Sequence, residues 1–175
     1  PRLAVRLGAV PSGGSYRDLV FFGFNSVLYG GGDLYAFSRS EAIPQLAARQ
    51  VPGALESSRQ GMKELGRYGL KAYAWLSTRQ KFPKDDAVFQ AHPEIRGALT
   101  WSEDGEYTLC TSHPLVRRYL RETIIDLFET LDELQGVALI IGGEGFYHCH
   151  MRPFGVEKGH TNCARCEPLG AEAAV

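Results

Sequence analysis

The sequence predicts an α/β fold of the (β/α)8 barrel type, holding about the first four βα units, and three observations predict it. Strand-like apolar runs alternate with helix-like segments along the whole chain of 175 residues. The run VALII at 137–141 is apolar throughout, as a parallel strand buried on both faces should be. Polar and aromatic residues gather behind the ends of several strand-like runs, which is where a barrel builds its active site. Strand–helix alternation of this kind implies a parallel sheet with right-handed crossovers. A doubly wound sheet fits the same order, but the first strand is not followed by a glycine-rich phosphate loop of that class.

The first expected strand is LAVRLGAV at 3–10, ended by Pro11 and a turn-like SGG. SYRDLVFFGF then reads as a short helix, with Ser15 as its cap and Gly23 as its stop. NSVLYGGG supplies a second short strand closed by three glycines. Residues 33–54 read as loop, with Pro44, Pro52 and Gly53 as breakers. Leu55, Ser58, Met62 and Leu65 fall at helical spacing, and Gly69 stands where a helix end needs a left-handed residue. KAYAWLS alternates as a third strand. An insertion at about 78–111 carries HPEIRG, TWSEDGEY and TLCTS, with a small hairpin expected around Asp104-Gly105. Pro114 opens a strong helix whose apolar face runs from Leu115 to Leu131, Gly136 closes that region, and VALII is the fourth strand. The expected organisation is one partial barrel domain over 1–175, with a Cys/His-rich loop at about 145–168 and AEAAV where a fourth helix begins.

Composition bounds the function. Hydrophobic content of 44%, charged content of 22% and a net charge of −1 describe an ordinary globular chain with no basic excess for nucleic acid. The apolar runs are far shorter than a membrane span. Residue 1 is Pro and no signal-like segment follows, which leaves the compartment open. Four cysteines are too few for a disulfide scaffold of this length.

Glu144 carries the functional expectation. It follows VALIIGG directly, so the fourth strand would deliver it to the barrel mouth. A carboxyl group among Phe146, Tyr147 and apolar strand ends is partly desolvated, which favours its protonated form. That is the state in which a general acid protonates a leaving oxygen near neutral pH, as in glycoside hydrolysis. A glutamate paired to a barrel arginine or a helix N-terminus is the structural alternative.

The order IIGGEG, preceded by HPEIRG and LCTSHPLVRRYLRE and followed by Cys-x-x-Cys, resembles the hexosaminidase and α-glucuronidase-like group of glycoside hydrolases. The resemblance covers most of residues 20–170 and implies the N-terminal half of a catalytic barrel, with Glu144 as the acid. Family-twenty hexosaminidases carry GG-Asp-Glu after the fourth strand. Here Gly143 stands directly before Glu144, so the Asp that assists an N-acetyl group has no counterpart. Neither N-acetylhexosamine specificity nor substrate-assisted catalysis is therefore implied.

The remaining substrate-binding candidates follow from position. Tyr29 and Asp33 lie after the second strand, Trp75 near the end of the third, Trp101 in the insertion and Tyr147 behind Glu144. Aromatic faces stack on sugar rings, while polar side chains bond the hydroxyls. Arg6, within the first strand, is a candidate for a substrate oxygen or for Glu144, with an interior ion pair as the alternative. Trp75 could equally be core, and Trp101 a loop anchor.

Cys149, His150, Cys163 and Cys166 form a second constellation. Two thiolates separated by two residues can grip one zinc, and Cys149 with a histidine would complete four structural ligands. A disulfide from Cys149 and a set of free thiols are the alternatives, and Cys110 reads as a buried core thiol. The chemistry itself requires no cofactor. The expected partners are a carbohydrate substrate and, across the open edges of a half barrel, a missing C-terminal half or a second copy. A non-catalytic sugar-binding module and a protein centred on the Cys/His cluster are the other functional readings.

Overall fold

The computed structural model describes residues 4–10, 14–29, 34–77, 81–101, 103–140 and 148–174. Strand β1 (Leu7–Gly8) is shorter than its apolar run. Helix α1 (Tyr16–Phe21) begins with a capping box, in which the Ser15 hydroxyl accepts from the Asp18 N–H and the Asp18 carboxylate accepts from the Ser15 N–H. It ends at Gly23, whose φ of 81° suits glycine. Strand β2 (Ser26–Tyr29) follows.

The 33–54 region departs from the expected loop. It contains a 3₁₀ turn at Leu34–Phe37 and helix α2 (Pro44–Ala47). Pro44, read from sequence as a breaker, opens α2, because its missing N–H lies where a helix needs no donor. Helix α3 (Ala54–Gly66) buries Met62 and Leu65 and is followed by Gly69 at φ 69°. Strand β3 (Lys71–Ser77) alternates as its sequence does.

The insertion folds as a second, antiparallel sheet. Strand β4 (Lys81–Phe82), helix α4 (Ala87–Ala91), strand β5 (Arg96–Leu99) and strand β6 (Tyr107–Leu109) give the order β4-β6-β5. The β5–β6 hairpin turns through the Asp104-Gly105 region, as its turn chemistry predicts. Helix α5 (Pro114–Thr130) starts with Pro114 in its first turn and the His113 ring capping the Leu115 N–H. Strand β7 (Leu134–Ile140) completes the main sheet. Gly136 does not close the region before this strand but lies inside it, where the Tyr73 ring covers the position a Cβ would take. A short helix α6 (Gly170–Ala174) stands at the expected fourth-helix position.

The main sheet has the order β1-β2-β3-β7 and is parallel at every pairing. One face carries Val27, Ala72, Ala74 and Leu76, which pack with Leu19, Met62, Leu65 and Leu127 of the helices. The opposite face, with Leu7, Tyr73 and Trp75, has no comparable cover among the described residues. The fourth strand is accordingly not buried on both faces, since Ala138 and Leu139 are exposed. The insertion has its own core of Phe82, Val88, Phe89, Ile95 and Leu109. Helix α5 belongs to both cores, giving Val116 and Tyr119 to the insertion and Leu127 to the sheet.

Candidate functional site

Parallel pairing puts the carboxyl ends of all four strands, at Gly8, Tyr29, Ser77 and Ile140, on one edge of the sheet. Ligands of open and closed α/β sheets bind along that edge. Glu144, Tyr147 and Asp33 fall outside the described residues. Glu144 is the fourth residue beyond Ile140 and the fifth before Cys149.

Tyr29 ends β2 on the helix-covered face. Its hydroxyl lies over α3, where a Cβ on Gly61 would come 1.9 Å from it, and burial raises its pKa. Trp75 lies on the bare face at 43% exposure, with its backbone paired to Ala138. Arg6 sits at the amino edge, just before β1. Its Nε donates to the Gly23 carbonyl, and its N–H to Asn25 Oδ1 at 2.8 Å. The structure therefore does not bring Arg6, Tyr29 and Trp75 together.

Trp101 is 66% exposed in the β5–β6 turn, beside residues that position alone did not single out. It lines a groove of about 350 Å³ with Lys81, Thr100, Asp104, Glu106 and Arg152. Lys81 pairs with Glu106, and the Arg152 guanidinium lies 5.4 Å from the Trp101 ring centre. Trp101 (φ 64°) and Arg152 (φ 49°) both adopt the left-handed backbone, which costs a bulky residue about 1–3 kcal/mol. The Trp101 N–H donates to the Arg152 carbonyl at 3.1 Å, tying the two together.

Four cysteines make the most sharply defined constellation. Cys110, Cys149, Cys163 and Cys166 are all buried, and their sulfurs all lie within 4.8 Å of one another. Cys110 to Cys166 measures 3.6 Å and Cys110 to Cys163 measures 3.8 Å. The structure thus brings Cys149, Cys163 and Cys166 together and adds Cys110, which follows β6 and was read from sequence as an ordinary core thiol. His150 is not one of this group, and its Nδ1 lies 3.3 Å from the Gly159 carbonyl. The Thr108 and Ser112 hydroxyls approach Cys149 and Cys166 at 3.5 and 3.4 Å.

The loop bearing three of these cysteines is clamped onto β5. Thr100 forms a β-bridge with Pro153, and the Phe154 N–H donates to the Leu99 carbonyl at 2.9 Å. Asn162 accepts from the Leu99 N–H at 2.9 Å while its amide donates to the Leu99 and Phe154 carbonyls. These bonds join the insertion to residues 152–162.

No protein-family model matches the chain, and no curated protein matches it. Among solved structures it is similar to an α-galactosidase from Lactobacillus brevis, at 15% identity and a TM-score of 0.44. It is also similar to the galactosidase domain of an α-galactosidase–sucrose kinase, at 14% identity and a TM-score of 0.45. Each match covers 70% of this chain and 17% of the other, so the chain spans about a sixth of their length.

Proposed function

We propose that this chain is about half of a glycoside-hydrolase (β/α)8 barrel and that Glu144 is its general acid/base. The observation that supports the reading is the parallel sheet, whose carboxyl edge includes Ile140, four residues before Glu144 in the sequence. The partial-barrel reading is supported by what the sheet leaves open. Among the described residues one face has no comparable cover, and apolar side chains lie exposed on both edge strands, Leu7 of β1 and Leu139 of β7. A sheet that closes through further strands buries both edges and fills its bare face.

In this reading Glu144 protonates the glycosidic oxygen as the bond breaks, then takes a proton from the incoming water or its equivalent. The second carboxylate comes from a later strand, outside this chain. Trp75 and Trp101 offer stacking surfaces for sugar rings, while Asp33 and Tyr147 offer hydroxyl contacts. No cofactor takes part in the bond cleavage. The partners are a carbohydrate and the remainder of the barrel, supplied by additional chain or by a second copy.

The test is sugar release from a panel of glycosides by the full protein and its Glu144→Gln variant, with ligand affinity measured in parallel. The reading expects turnover to fall about 10²–10⁴-fold with affinity largely kept. Unchanged turnover in Glu144→Gln contradicts it. Binding with no turnover in either form would make the chain a sugar-binding module.

A further inference from the structure

Four buried cysteines from three separated parts of the chain converge without any disulfide among them. We propose that Cys110, Cys149, Cys163 and Cys166 hold one zinc ion in a closed four-thiolate site, fastening the loop after β7 to the β5–β6 hairpin. The site is independent of the hydrolase reading.

Distances decide against a disulfide. A disulfide needs sulfurs about 2.0 Å apart. Zinc–sulfur bonds of about 2.3 Å, arranged as a tetrahedron, set sulfurs about 3.8 Å apart. The measured separations of 3.6 and 3.8 Å match the tetrahedron, and the 4.8 Å bound on all four sulfurs admits it. A local pair, Cys163 and Cys166, sits on a tight turn where the Cys166 and Glu167 N–H groups both donate to the Cys163 carbonyl at 3.0 Å. The distant pair then closes the cage, Cys110 from the end of β6 and Cys149 from the segment after β7.

The surroundings fit thiolates. A divalent ion lets thiols ionise beside it. The Thr108 and Ser112 hydroxyls sit where outer-shell groups orient ligands. Gly97 makes room, since a Cβ there would lie 2.6 Å from the Cys149 sulfur. Four protein ligands leave no open position for substrate or water, so the ion is structural.

The test uses the full protein purified under reducing conditions. Metal content by mass spectrometry is combined with thiol titration before and after chelation. About one zinc per chain is expected, with the thiols unreactive until chelator is added. Cys110→Ser should weaken zinc binding by at least the 10–100-fold that loss of an outer-shell partner costs. His150→Ala should bind zinc as the wild type does. If Cys110→Ser fails to fold, cobalt substitution of the wild type decides, because four-thiolate cobalt has intense sulfur-to-metal bands. Metal-free protein with reactive native thiols overturns the proposal, as does a disulfide detected without reductant. Iron in place of zinc, or metal lost from His150→Ala but kept by Cys110→Ser, overturns it equally. None of these readouts uses substrate, so failure of the Glu144 test leaves them untouched.

Discussion

At the scale of single residues, Gly97 and Gly136 set tight limits on packing. A Cβ on Gly97 would meet the Cys149 sulfur and the Thr108 hydroxyl, both at 2.6 Å, and the Thr108 carbonyl at 3.0 Å. Overpacking of this kind costs about 1–3 kcal/mol, so Gly97→Ala should unfold at lower denaturant concentration. Gly136→Ala meets the Tyr73 ring at 2.7 Å, but that ring is only partly buried and can swing aside. Its midpoint should therefore fall less than that of Gly97→Ala in the same denaturation series. Neither need is visible in sequence, because the crowding atoms belong to residues distant along the chain. The cysteine set was legible for the same reason only in part. Cys163 and Cys166 are neighbours with ligand spacing, whereas Cys110 joins them across more than fifty residues through the register of β5 with β6. His150, adjacent to Cys149 in sequence, is not among the four residues whose ligand atoms converge.

At the scale of elements, caps and clamps make the predictions. Ser15→Ala removes the hydroxyl that caps α1 and should cost about 1 kcal/mol in chemical denaturation. Asp18 returns that bond, and the backbone N–H and then the hydroxyl of Ser15 hold its pKa below the ordinary value of 3.8. A lowered carboxylate pKa stabilises the fold above the unfolded value, and the gain is lost as pH falls through the folded one. The stability difference between wild type and Asp18→Ala should thus be full at neutral pH and shrink below about pH 3.8. Asn162→Ala removes its three side-chain bonds between β5 and the loop, so the Leu99 amide, which loses its acceptor, should exchange hydrogen faster while those of β3 do not. Periodicity made α3, β3 and α5 legible because each buries a face that repeats in sequence. Helix α2 was not legible, since four residues are too few to show a period and Pro44 marks starts and stops alike.

At the scale of the whole molecule, the open edges of the parallel sheet govern behaviour. Leu7 and Leu139, on the two edge strands, are each 41% exposed. Exposed apolar edges of this kind associate in water. The isolated chain should therefore sediment as concentration-dependent oligomers, and Leu139→Lys should shift the distribution toward monomer. Alternation of strands and helices in the sequence was enough to read a parallel α/β sheet. It could not show that the insertion is a second sheet with its own core, because that core draws on α2 and α5 from either side of it. The most direct test of the central claim is the rate of wild type and Glu144→Gln on two aryl glycosides that differ only in leaving group. A general acid matters most when the leaving oxygen is basic. With Glu144 as the acid, the loss is large with the poor leaving group and much smaller with the good one. An equal loss on both substrates, or none on either, would contradict it.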